Sequence, residues 1–273
     1  MRHAIVIEPV SEVLKQCARI RDTTVAARNT SSGGGLIKET HAVLAFIGNS
    51  VGIADVRQAV LKGSVFHKPS FASRKRILSA IDHRYLNTAS ECVVQSLVKA
   101  ARHGVHSVEF ISLAYLYFAL RDRLICEFVT GPVWDRWLRK TTALTPNDFL
   151  SFLQERSPDY PEIKQWREAT KKKLASNALS SLRDFGLLRG VKNKQIQRPA
   201  VSPEAVFHLL CILVAEGRES ASIIEAPDWR LFLFTEPEIA RALSDLAQKN
   251  WIRFEKSGRA VSLELIRMPE VGK

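Results

Sequence analysis

Cysteine is scarce: four among 273 residues, Cys17, Cys92, Cys126 and Cys211, far apart and never as CxxC. That spacing argues against a disulfide framework or a cysteine-built zinc site and fits buried thiols in a reducing, cytoplasmic compartment. Long apolar runs are also missing. The two that stand out, residues 110–120 (FISLAYLYFAL) and 205–215 (AVFHLLCILVA), fall well short of the about twenty residues a membrane span needs, so both read as buried helices. Glu8, Glu12 and Lys15 interrupt any signal-peptide core. Neither GxxxxGK[ST] nor GxGxxG occurs, and Gly33-Gly34-Gly35 follows no strand of a βαβ unit, so it reads as a hinge rather than a phosphate cradle. His103 and His106 have no cysteine or second acid cluster beside them and read as surface residues. Asp159 and Glu162-Ile163-Lys164 lie too close together to form a nuclease metal site on neighbouring strands. No catalytic residue, metal site or cofactor is expected, and the chain reads as non-enzymatic.

Acidic residues are the last shortage: 28 against 40 basic ones, a formal charge of +12. The excess is clustered. Residues 1–86 and 161–201 each carry +7, residues 87–160 are neutral, and residues 202–273 carry −2. Clustered positive charge makes a local field that attracts polyanions.

Four regions follow from pattern. Residues 1–35 read as a loosely held extension with an apolar start (Ala4 to Ile7) and a linker ending in Asn29-Thr-Ser-Ser-Gly-Gly-Gly35. Residues 36–87 give three short helices: one from Leu36 stopped at Gly48-Asn49, one over 53–61, and a third capped by Ser70 that carries Arg74, Lys75, Arg76 and Arg84. This is the order of a helix-turn-helix domain with the basic helix last. Residues 88–201 give packed helices over 89–102, 108–128, 133–140 and 146–155. Gly131-Pro132 reads as a chain break and Thr145-Pro146-Asn147-Asp148 as a cap. Trp134 and Trp137 face a core. A long helix over 161–185, opened by Asp159 and Glu162 as a capping-box-like pair, carries Lys171-Lys172-Lys173. Consecutive residues fan by about 100°, so at best two of these lysines share one strand of a duplex. A polar turn over 190–195 then makes a basic hairpin with Lys192, Lys194 and Arg198, resembling a wing.

Residues 202–273 read as a winged helix-turn-helix. A helix opens at Ser202-Pro203-Glu204, a short turn at Asp228, and another helix at Glu236. Strands over 251–255 and 260–266 flank Lys256-Ser257-Gly258-Arg259. Its presumed recognition helix carries Glu236, Glu238 and Asp245 against Arg241 and Lys249, a poor surface for a duplex and better suited to a structural or partner-binding role. Lys256 and Arg259 keep a nucleic-acid role open. The fold class expected is mainly α, with a helix-turn-helix N-terminal domain, a central helical region, and a C-terminal winged helix with small β-hairpins.

The order of motifs is similar to that of the BrxA family of BREX bacteriophage-defence systems. It rests on Leu36-Ile-Lys-Glu39, Arg74-Lys-Arg-Ile-Leu78 with Arg84-Tyr-Leu86, Trp166-Arg-Glu-Ala-Thr-Lys-Lys-Lys-Leu174, Leu182-Arg-Asp-Phe-Gly-Leu-Leu188, and Gln197-Arg-Pro199 before Ser202-Pro203. None is a catalytic signature. The resemblance implies a mostly helical, non-enzymatic component that binds double-stranded DNA beside a methyltransferase, an ATPase and a phosphatase-like protein, with no membrane partner. The alternatives are an RNA binder resembling antitermination factors and a protein-only scaffold. The residues expected to meet DNA are Lys68, Arg74, Lys75, Arg76 and Arg84 on one surface and Lys171, Lys172, Lys192, Lys194 and Arg198 on another.

Overall fold

Helix Val108–Arg121 is apolar on nearly every side, and the fold is built around it: Phe110 and Ser112 to Leu120 are all buried. Ser107 starts it by accepting a hydrogen bond from the Phe110 amide at 3.2 Å. In the computed structural model, residues 14–15, 19–21, 24–25, 33–49, 52–88, 90–219, 221–258 and 260–268 are described. The chain is mainly helical with small antiparallel sheets.

Three helices come first: α1 (Ile37–Ile47), α2 (Ile53–Lys62) and α3 (Phe71–Ile81), the last running on through a π turn, Asp82–Leu86. Ser70 caps α3 as its sequence suggests, accepting from the Ser73 amide at 3.1 Å. Then come α4 (Glu91–Ala101), α5 (Val108–Arg121) and α6 (Arg123–Phe128). The single helix expected over 108–128 is interrupted at Asp122, which turns extended (φ −111°, ψ 102°) and caps Ile125. Gly131-Pro132, expected to break the chain, instead lies inside a π turn, Val129–Val133, that passes into α7 (Trp134–Leu138). Proline has no amide to give an i−4 bond, and a widened turn absorbs that gap while the chain stays helical.

Next come β1 (Ala143–Leu144), α8 (Pro146–Arg156), α9 (Glu162–Gln165), α10 (Glu168–Asp184), β2 (Leu188–Arg189) and β3 (Lys194–Ile196). The three strands form one antiparallel sheet in the order β1-β3-β2. The cap expected at α8 is present, with the Thr145 amide and hydroxyl donating to Asp148 Oδ2 at 2.7 and 2.8 Å. The long helix expected over 161–185 is broken: Trp166 is extended (ψ 134°), and Pro161 at the head of α9 carries no side-chain cap. The last elements are α11 (Pro203–Ala215), α12 (Ala221–Ile224), a 3-10 turn (Pro227–Phe232), α13 (Glu236–Gln248), β4 (Ile252–Ser257) and β5 (Ala260–Leu265). β4 and β5 pair from Ile252↔Leu265 to Ser257↔Ala260, the hairpin its alternation suggests; Arg259 at its tip lies outside the described residues.

The expectation of a loosely held start does not extend to the residues described there. The Ala4–Ile7 stretch, Cys17 and residues 26–32 lie outside the described residues, but Leu14, Ile20 and Val25 are buried. Arg21 pairs with Asp228 at 2.9 Å and with Glu216. These residues are anchored, not loosely held. Gly34 and Gly35 do not read as a hinge either. A side chain at Gly34 would sit 2.4 Å from Asp184 Oδ2 and one at Gly35 2.9 Å from Asp184 Cβ, so both glycines permit close approach to the end of α10.

Arg84 closes this junction. It is 1% exposed, donates to the carbonyls of Gly34 (3.0 Å) and Gly35 (3.5 Å), and lies over the Phe118 ring of α5 at 4.8 Å. In a urea titration, Arg84→Ala should lower the unfolding free energy by about 3 kcal/mol, by opening a cavity and stripping those carbonyls of their donor. Arg84→Met keeps the volume and removes a buried charge, so it should cost under about 1.5 kcal/mol; equal losses would contradict this account. Burial also pushes the Cys126 thiol up to about 12, with Asp228 adding to it, and raises Cys211. In a Cys17→Ser background, a disulfide reagent at pH 8 should therefore react slowly with the native protein and rapidly once it is unfolded.

Candidate nucleic-acid interface

Helix α10 is held by one side and offers the other. Leu174, Ala175, Ala178, Leu179, Ser181 and Leu182 are buried, while Ala169, Lys172, Lys173 and Ser176 face solvent. Because Trp166 breaks the helix, α10 starts afresh at Arg167, an exposed residue in extended conformation (φ −64°, ψ 149°). The lysine triplet therefore lies in the first turns of a new helix, not in the middle of a long one. Lys171 is set apart from its neighbours by an ion pair to Glu168 at 2.9 Å.

The β2–β3 hairpin follows α10 directly. Gly190 has φ +89°, and a side chain there would meet the Asn193 carbonyl at 2.2 Å, so the turn demands glycine. The Lys194 ammonium donates to the Val191 carbonyl at 2.9 Å, and Arg189 donates to Gln195 Oε1 at 3.0 Å. These contacts stiffen a tip on which Val191 is 72% exposed, beside exposed Lys192. β1 completes the sheet through two residues, too few to show a period in the sequence. Leu144, buried just before the Thr145 cap, was the available signal.

The N-terminal basic cluster divides sharply. Lys75 and Arg76 are exposed on α3. Arg74 turns back to donate to the Leu61 (2.9 Å) and Lys68 (2.7 Å) carbonyls, tying α2 and the intervening loop to α3. Lys68 is paired with Glu39 at 2.8 Å. Arg84 is a correction: it is buried under Gly34-Gly35, so it cannot share a surface with Lys75 and Arg76.

Arg198 joins neither group. It pairs with Glu238, donates to the Leu233 carbonyl at 3.3 Å and stacks over Trp137 at 5.7 Å, bonding the central elements to the last ones. Burial works against the Glu238 carboxylate, yet its pKa is lowered, because the Thr235 hydroxyl and amide and then Arg198 stabilise the charge. On the last hairpin Lys256 pairs with Glu236 at 2.6 Å and Arg253 with Glu264 at 2.7 Å. Of the ten residues expected from sequence, Lys75, Arg76, Lys172 and Lys192 are exposed with no ion pair found in the structure. Arg167, Lys173 and Val191 belong with them and were missed, because only the true start of α10 shows which residues its first turns present.

Among the described residues no group of three or more His, Cys, Asp or Glu side chains is placed to hold a metal ion, and no helix is long and apolar enough to cross a membrane. The arrangement offers rigidly mounted cations and one exposed apolar tip.

Comparison with known proteins agrees with the motif order. The family model for BrxA matches residues 28–211, which reach from the segment just before α1 through α10 and both strands of the hairpin into α11. A protein described as "BREX protein BrxA", from Bacillus cereus (strain H3081.97), is 24% identical over 157 residues, covering 57% of this chain and 75% of that protein. The match takes in both exposed basic helix faces and the tip between β2 and β3, and on it the chain belongs to the BrxA family.

Proposed function

We propose that this protein is a non-enzymatic, double-stranded-DNA-binding component of a BREX phage-defence system, and that α10 with the β2–β3 hairpin forms its duplex-contacting surface. The observation that carries the reading is the element order α7–β1–α8–α9–α10–β2–β3, in which α9 is a single turn, with sheet order β1-β3-β2. In that order α10 takes the place of the recognition helix of a winged helix-turn-helix and the hairpin that of its wing. The exposed residues agree with those roles. Lys172 and Lys173 lie in the first turns of α10, the part of a recognition helix that enters the major groove. The tip carries Lys192 for phosphate and Val191 as an apolar contact for a minor groove. Family membership supplies the phage-defence context.

A second role is favoured for the last elements. The hairpin cations Arg253 and Lys256 are held in ion pairs and Arg198 is bound to Glu238, which leaves Arg241 and Lys249, at and just beyond α13, set against Glu236, Glu238 and Asp245. We assign that surface to other BREX proteins.

In a fluorescence-anisotropy titration with a generic duplex, log Kd should rise steeply with log salt. Lys172→Glu/Lys173→Glu should weaken binding about tenfold or more near physiological salt and flatten the salt slope by about two. An unchanged affinity would remove α10 from the interface; an RNA hairpin outcompeting the duplex would replace DNA with RNA as the ligand. Charge reversal at Arg241 and Lys249 on α13 should leave duplex affinity within about twofold while reducing co-purification of partner BREX proteins; a large loss of duplex affinity would argue for DNA at the C-terminal surface instead.

A further inference from the structure

The outward face of α10 occurs twice in this chain. Helix α3 reads FASRKRILSAI from Phe71, and residues 168–178 read EATKKKLASNA. Offset by 97 positions, Ala72, Lys75 and Ser79 fall on Ala169, Lys172 and Ser176, while Arg76 falls on Lys173. Burial runs in parallel. Positions 72, 75, 76 and 79 are exposed, as are 169, 172, 173 and 176; Ile77 and Leu78 are buried, as are Leu174 and Ala175. Even the cation turned away from solvent corresponds: Arg74 bonds to backbone carbonyls and Lys171 to Glu168. Amphipathicity accounts for the alternation of buried and exposed positions. The fifth exposed pair, Phe71 and Glu168, differs, but amphipathicity does not account for alanine, a basic pair and serine recurring at the other four outward positions, since a solvated face tolerates any polar residue there.

The structure also limits how far apart the two faces lie. Both helices end at one junction. Arg84, in the π turn that prolongs α3, holds Gly35, and the Gly35 amide donates to Asp184 at the end of α10 at 2.9 Å. Nine residues separate Lys75 from Arg84 and twelve separate Lys172 from Asp184. At about 1.5 Å per residue, plus two extended side chains, the basic pairs can be no more than about 50 Å apart. One duplex turn is about 34–36 Å, so this limit admits successive turns of one duplex and excludes sites two turns apart.

We infer that α3 is a second DNA-contacting helix equivalent to α10, and that one chain engages two major-groove segments about one helical turn apart on the same duplex. The inference rests on the reading of α10 as a duplex-binding helix. Small residues on both sides of each basic pair let the helix backbone come close to the phosphates, and the two linked contacts act with a high effective concentration.

Two double variants, Lys75→Glu/Arg76→Glu and Lys172→Glu/Lys173→Glu, tested on duplexes of about 12 and about 24 base pairs, separate the possibilities. On the long duplex each should lose about tenfold or more in affinity. On the short one, which engages one face at a time, each should lose only about twofold, because the other face still binds. All four substitutions together should abolish binding to both lengths. If the α3 variant binds the long duplex like wild type while the α10 variant does not, the second site is refuted and the α10 reading stands. If either variant alone abolishes binding to the short duplex, the two faces form one composite site. If neither changes binding, the α10 reading falls with the inference. Unchanged thermal melts of both variants, expected from fully exposed positions, keep folding out of the comparison.

Discussion

The arrangement of the protein hangs on one buried guanidinium. Arg84 bonds to the carbonyls of Gly34 and Gly35, covers the face of Phe118 and stands near Asp184, so four elements meet there: the entry to α1, the end of α3, the middle of α5 and the end of α10. Burial lowers its pKa, and Tyr85, Asp122 and Asp184 offset part of that loss. Taking a charge out of water is expensive. Nη1 alone makes both carbonyl bonds, and Nε and Nη2 have no hydrogen-bond partner among the described residues; the charge is tolerated because the weakly hydrated guanidinium also lays its face on an aromatic ring. The glycines are the other half of the contact, since a side chain at either would collide with Asp184. Phe118 then passes the position on to α10 through its stack with Phe185 at 5.2 Å.

The same division of labour runs through the basic residues. Arginines are used inward: Arg74 on Leu61 and Lys68, Arg84 on Gly34 and Gly35, Arg136 on Ala143, Arg198 on Leu233 and Arg230 on Thr130, each donating to a main-chain carbonyl. The cations assigned to the duplex surface are mostly lysine, with Lys75, Lys172, Lys173 and Lys192 joined by Arg76 and Arg167. This follows from hydration. The guanidinium is weakly hydrated and presents donors in a fixed fork, whereas the ammonium is a compact, strongly hydrated charge that favours solvent. A net charge of +12 therefore overstates the surface available to a polyanion, because part of it holds the chain together.

What could be read from the sequence was local. Ser70, Thr145 with Asp148, and Ser202 mark helix starts because a cap is decided within three residues. The β4–β5 hairpin shows because its alternation and turn are contiguous. The misses were set by distant contacts. Nothing near Trp166 signals a break, yet it is half-buried against the core and extended. Ile20 and Arg21 sit in a stretch with the composition of a loose tail, and what holds them is a pocket of the core and two acids about two hundred positions away. The site followed the same rule: Lys75, Arg76, Lys172 and Lys192 could be found from helix phase and turn position, whereas the burial of Arg84 depends on Gly34, Phe118 and Asp184.

The two basic faces carry an implication for selectivity. Discrimination between base pairs comes from side chains that match base edges in two bonds at once, chiefly arginine on guanine and asparagine or glutamine on adenine. The matched outward positions of α10 are alanine, two lysines and serine, and those of α3 differ in one arginine, with Glu168 and Phe71 exposed beside them. Lysine on phosphate is a point charge that scores every sequence alike. On the duplex-binding reading, affinity then comes from the number and spacing of phosphate contacts, and Arg76 on α3 and Arg167 at the start of α10 are the arginines placed to prefer a guanine. A protein of this kind would select for double-helical geometry over a stretch of duplex. Recognition of any particular target would have to come from its partners, and the last elements, whose hairpin cations Arg253 and Lys256 are paired with acids, are the surface left over for them.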